Sequence, residues 1–170
     1  MQNEEKVRLW LGLCEDGCSR SADNDAEAGS SGIPSPSDVD TKQDGSSMSR
    51  EPYLTARAAA GSLATLSGDS TIADLMIKED CARTLVALLE STDGDLIHRA
   101  LVIIIELLSS KENATERYAI AKYLVEGHII PSMSSSVVAS SSQEQLGSLV
   151  KDAAQALSDA MGSSSRSDDF

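Results

Sequence analysis

An all-α fold of stacked helical repeats is what this sequence predicts, and three observations predict it. After Arg50 the apolar residues recur at helical spacing with no convincing β alternation. Hydrophobic residues reach 41% of the 170, mostly Ala, Leu, Ile and Val, while aromatics are only 3%; small and aliphatic side chains suit helices that approach closely. One helical segment also recurs at an interval near 42 residues.

Taken in chain order, residues 1–13 place Val7, Trp10 and Leu11 at i, i+3, i+4, the pattern of a short amphipathic docking helix. Residues 14–50 shift to Ser, Gly, Asp and Pro with hardly an apolar side chain to bury, so they are expected to be a disordered low-complexity insertion. Residues 51–162 are read as the helical repeats. Ser49-Arg50-Glu51-Pro52 resembles a cap followed by a first-turn proline, and the helix it opens runs from Tyr53 to Leu66. Further helices are expected over Thr71–Lys78, Asp80–Glu90, Asp95–Ser109, Ala114–Glu126, Ile129–Val138 and Gln143–Met161, punctuated by Gly94, Gly127 and a run of serines. Residues 163–170 are expected to be a disordered tail.

The repeat itself is seen by laying Ala56–Ser67 over His98–Ser109, which aligns Arg57 with Arg99, Leu63 with Ile105 and Leu66 with Leu108 at an interval of 42. A third segment, Lys151–Ala160, follows the second at a longer interval of 52. A period of helices near 42 falls in the about 40–47 residues of armadillo and HEAT repeats. So few repeats make an incomplete solenoid, and the expectation is the C-terminal end of a longer array.

Specific residues add a resemblance. Leu54–Leu66, with its Ala58-Ala59-Ala60-Gly61 run, resembles a helix near the C-terminus of the UCS-domain myosin chaperones, the uncoordinated family; Leu96–Val102 and the opening Glu4–Leu13 are similar to two more of its helices. Ala100 stands where that family usually has Gly, Ile97 replaces a polar residue, and the insertion is longer than the family's loop. The resemblance implies a co-chaperone that binds myosin motor domains and works with Hsp90 in protein folding and muscle assembly. The tetratricopeptide domain that meets Hsp90 and the central myosin groove would lie upstream of Met1. The alternative is an armadillo-type adaptor or scaffold unrelated to myosin. Adaptors that read extended peptides use an Asn ladder flanked by Trp, and here the corresponding positions hold Thr65, Leu107 and Asp159, and Gly61, Ile103 and Gln155. Leu107 has no hydrogen-bonding side chain with which to build such a ladder.

Charge and chemistry narrow the classes further. Fourteen Lys and Arg against 27 Asp and Glu leave a net charge of −13, which argues against nucleic acid and against an anionic membrane surface. No apolar run approaches the roughly 20 residues needed to cross a bilayer. Three cysteines cannot all pair within one chain and no apolar leader opens the sequence, so a reducing, cytoplasmic location is expected. Cys14 and Cys18 lack a second ligand pair at zinc spacing, because the only histidines are His98 and His128. Cys81, at a helix start, is weighed as a nucleophile and set aside as a buried apolar residue. The expectation is therefore a non-enzyme with no catalytic residue, no metal and no cofactor. The partner-binding candidates are His98 and Arg99; the competing reading has Arg99 bonded to the preceding repeat, as its register with Arg57 and Lys151 implies.

Overall fold

A computed structural model describes residues 2–23, 50–139 and 144–162. They form α1 (Gln2–Asp23), α2 (Arg50–Leu66), α3 (Ser70–Lys78), α4 (Cys81–Leu89), α5 (Gly94–Ser109), α6 (Ala114–Glu126), α7 (Ile129–Ala139) and α8 (Glu144–Gly162), with no strand among the described residues. From α2 onward the expected helices stand within a few residues of their expected ends.

The first helix is different, because it runs past Leu13 as far as Asp23. The expected boundary between docking helix and insertion at residues 13 and 14 is corrected accordingly, and Arg50 belongs to α2. The reason is a single apolar stripe, Val7, Leu11, Cys14 and Cys18, that crosses the compositional boundary: Cys14 is buried and Cys18 half-buried. Gly17 is buried too, so close to α2 that an added Cβ would collide with Ala56 and lie 2.9 Å from the Pro52 carbonyl oxygen. The rest of the expected insertion, 24–49, and the expected tail, 163–170, lie outside the described residues.

Caps explain most of the remaining boundaries. Asp69 accepts hydrogen bonds from the Thr71 and Ile72 amides at 2.9 and 3.0 Å, and Asp93 accepts from those of Asp95 and Leu96 at 2.9 and 3.1 Å. Asn113 accepts from the Thr115 amide at 2.8 Å. Each relieves donors that the first turn of a helix leaves unpaired. α4 has no such cap of its own: Asp80 lies in the left-handed region at φ 57° and its side chain accepts from no helix amide. Instead the Tyr123 hydroxyl, on α6, accepts from the Ala82 amide at 3.0 Å and donates to Asp80 Oδ1 at 3.0 Å.

Beside the extensive packing of α1 on α2, four pairs of helices three apart in the chain also pack together, although α3 and α6 do not. α2 packs on α5 and α5 on α8; α1 packs on α4 and α4 on α7. Hydrogen bonds between these layers keep a nearly constant reach along the chain. Tyr53 Oη donates to Asp93 Oδ2 across 40 positions, Lys111 Nζ to Ser70 Oγ across 41, and Ser132 Oγ to Glu90 Oε1 across 42; Tyr123 to Asp80 spans 43. Thr84 Oγ1 donates to Glu15 Oε1 across 69 positions, an interval that falls among the others once residues 24–49 are set aside. α5 sits at the centre, burying Leu96, Ile97, Ala100, Leu101, Ile103, Ile104, Leu107 and Leu108.

Candidate interaction groove

α2 divides its residues between two faces. Ala56, Ala59, Ala60 and Leu63 are buried, whereas Leu54, Arg57, Ala58, Gly61, Ser62 and Thr65, at i, i+3, i+4, i+7 spacing, line a shallow groove together with Arg99 of α5. The groove has a volume of about 540 Å³. A glycine inside a helix costs about 1 kcal/mol relative to alanine, and at Gly61 it leaves room for a neighbour. An added Cβ there would collide with Arg99 Nη1 and stand 3.2 Å from Arg99 Cζ, so the guanidinium lies across the helix on the space that Gly61 leaves.

The polar groups around the groove are unequally satisfied. Arg57 forms an ion pair with Asp95 of α5. Ser62 and Thr65 donate back to the Ala58 and Gly61 carbonyls at 3.1 and 2.9 Å, which occupies their hydroxyl protons and leaves oxygen lone pairs outward. Arg99 Nε is buried without a hydrogen-bond partner. The surface therefore offers a guanidinium, two hydroxyl acceptors and an exposed Leu54, a set that suits carboxylates and carbonyls of a bound polypeptide.

The sequence-based candidates are separated by this geometry. Arg99 lines the groove; His98, its neighbour on α5, is exposed and outside it. The register that pairs Arg57, Arg99 and Lys151 is not matched by equal contacts, since Arg57 has a carboxylate partner, Arg99 lies on a glycine and Lys151 is exposed. Leu54 and Ser62 carry no signal of their own in the sequence, whereas Thr65 and Gly61 are two of the positions at which a peptide-reading ladder would stand. The signal that could have found the groove is Gly61, a helix-interior glycine 38 residues before Arg99.

The thiols have a different character. Burial pushes Cys14 up to about 12, Cys18 up to about 11 and Cys81 up to about 12, the charges of Cys18 and Glu15 adding to the effect at Cys14 and that of Glu15 at Cys18. A thiol held that high is a poor nucleophile and metal ligand near neutral pH. Among the described residues no cluster of His, Cys, Asp and Glu has metal-binding geometry, and no helix is long and apolar enough to cross a membrane. No protein-family model, no curated protein and no solved structure matches the chain.

Proposed function

We propose that the chain is an armadillo/HEAT-like repeat module that binds a protein partner, with no chemistry of its own. The observation that carries this reading is the reach of 40–43 positions shared by four hydrogen bonds between distant helices and turns, together with the packing of α1 on α4, α2 on α5, α4 on α7 and α5 on α8. A stack of that kind builds a rigid surface from residues distant in sequence, and the Arg99 groove lies where two layers meet.

The partner we propose is a myosin motor domain, handled with Hsp90 acting through an upstream domain in a cytoplasmic co-chaperone. The support is the residue-level resemblance to the UCS-domain chaperones, whose helix-like stretches Leu54–Leu66 and Leu96–Val102 fall on α2 and α5, the two walls of the groove. The test is binding of a purified myosin motor domain to the chain, followed by calorimetry, with Arg99→Glu as the groove variant. Because the family's central myosin groove would lie upstream, we expect weak but measurable binding, which Arg99→Glu lowers by about tenfold, equivalent to about 1.4 kcal/mol. Binding untouched by the variant removes the groove from the proposal. No binding to the motor domain, with capture of a different client through Arg99, replaces the chaperone by the adaptor reading.

A further inference from the structure

Arg99 and Glu106 of α5 are both half-buried, and neither side chain has an ion pair or a hydrogen bond among the described residues. Cations nearby are matched, Arg57 by Asp95 and Lys111 by Asp74. Both unmatched charges reach over a glycine toward α2. Arg99 Nη1 lies on Gly61, and Glu106 Oε2 would stand 2.8 Å from a Cβ added at Gly68, just past the end of α2. The charges are seven positions apart, as are the glycines, so they share one face of α5, with the half-buried Val102 between them. Seven residues of helix rise about 10.5 Å. The guanidinium and the carboxylate are not bonded to each other across that distance.

The α2 wall restricts what can lie between them. The Ser62 and Thr65 protons are directed to the Ala58 and Gly61 carbonyls, so these hydroxyls can only accept from an occupant. A helix satisfies its mid-chain amides within itself, whereas an extended segment has them to donate. A fully extended strand turns residues i and i+3 to opposite faces. A polyproline-type segment has three residues per turn and rises about 3.1 Å per residue, which sets i and i+3 on one face about 9.3 Å apart. That spacing matches the separation of Arg99 and Glu106. The net charge of −13 also disfavours a polyanionic partner, so a carboxylate presented to Arg99 is better accompanied by a cation.

We propose that the groove takes an extended, polyproline-type segment of the partner protein that bears an acidic and a basic residue three positions apart, the acid on Arg99 and the base on Glu106. Such recognition rests on the groove being a protein-binding surface and specifies what the bound segment carries. The Arg99 guanidinium donates to the segment's carboxylate, Glu106 accepts from its cation, and Ser62 and Thr65 accept from its amides. No Asn ladder, for which Leu107 leaves no place, is needed.

The experiment titrates the full chain into a short fluorescein-labelled peptide of Ala and Pro with one Glu and one Lys three positions apart, read by anisotropy. Saturable binding is expected, lowered at least about fivefold by Arg99→Glu and by placing the same two charges side by side in the probe. Glu106→Lys is expected to reverse the preference, so that a probe with two Glu three positions apart binds better than the original. Thermal melting monitors the fold, and the isostere Glu106→Gln, expected to erase the preference for Lys over Ala at that probe position, serves where the reversal unfolds the chain. A merely structural Glu106 would leave these preferences alone. Absence of saturable binding, equal binding of the side-by-side probe, or preferences that neither Glu106 variant alters overturns the proposal. If any of these occurs while Arg99→Glu still weakens motor-domain binding, the groove reading stands and only the charge pair falls. Peptide binding that obeys both charges supports the proposal whether or not a motor domain binds.

Discussion

Asp80 and His128 hold the same left-handed backbone at corresponding turns, yet only the first is clamped by a side chain from the next layer. Tyr123 bonds both Asp80 and the Ala82 amide. At His128 the turn is held by the backbone bond from its own amide to the Val125 carbonyl at 3.1 Å, and its side chain is exposed. The same contrast separates α5 from α8. α5 buries two adjoining flanks, whereas α8 buries a single stripe of Leu146, Val150, Ala153, Leu157 and Ala160. Among the described residues, the same local backbone thus has unequal support, because Tyr123 of α6 reaches the turn before α4 and no hydrogen bond from another helix reaches the turn before α7.

Core truncation gives the widest separation. Leu101→Ala in α5, where the residue is fully enclosed, is expected to cost about 3–5 kcal/mol in denaturant unfolding, and Leu157→Ala in α8, beside an apolar recess between α6, α7 and α8, about 2 kcal/mol. Equal losses would break the distinction between α5 and α8. Tyr123→Phe comes next, at about 1–2 kcal/mol, because it leaves the Ala82 amide without its acceptor at a buried helix start. Burial and the neighbouring Cys81 hold the Tyr123 phenol well above its ordinary value, so this loss stays the same across neutral and mildly alkaline pH.

Smaller effects sharpen the contrast. His128→Gly relieves a left-handed conformation whose own side chain is exposed, keeps the bond from the Ser132 hydroxyl to its carbonyl, and is expected to stabilise by up to about 1 kcal/mol. Asp80→Gly relieves the same strain but discards the Tyr123 contact, so its gain should be smaller or reversed; matched gains would mean that the clamp contributes nothing. The smallest effect is on α1 and its ion pairs to α3. Glu79 is held below its ordinary 4.5, first by its hydrogen bond from Arg8, and Glu4 likewise by its bond from Lys78. A depressed carboxylate contributes fully above the unfolded value and less as pH falls through its folded one. The α1–α3 contact should therefore be unchanged above about pH 5 and weaken below about pH 4, visible as faster amide exchange in α1 and slight because these groups are solvent-screened.

Much of this was legible because it is local. Asp69, Asp93 and Asn113 sit where caps belong, and the Ala- and Leu-rich stripes mark α2, α5 and α8 whatever lies around them. The end of α1 was misplaced because Cys14 and Gly17 read as part of a Ser- and Gly-rich segment. Their helical state depends on α2 lying close enough to bury them. The groove was half legible. Arg99 stands out in the sequence as half of the polar pair His98-Arg99 and by its register with Arg57 and Lys151, but its separation from His98 follows from how α5 lies against α2, which no spacing within α5 encodes.

The sequence by itself determined that the chain is helical, where most helices start and stop, and that segments recur near an interval of 42, since these rest on 3.6-residue periodicity, capping chemistry and aliphatic stripes. Only the tertiary structure decided which glycine a guanidinium lies on and which tyrosine completes another helix's first turn. Those depend on distances between residues some forty positions apart, and that proximity is created by stacking.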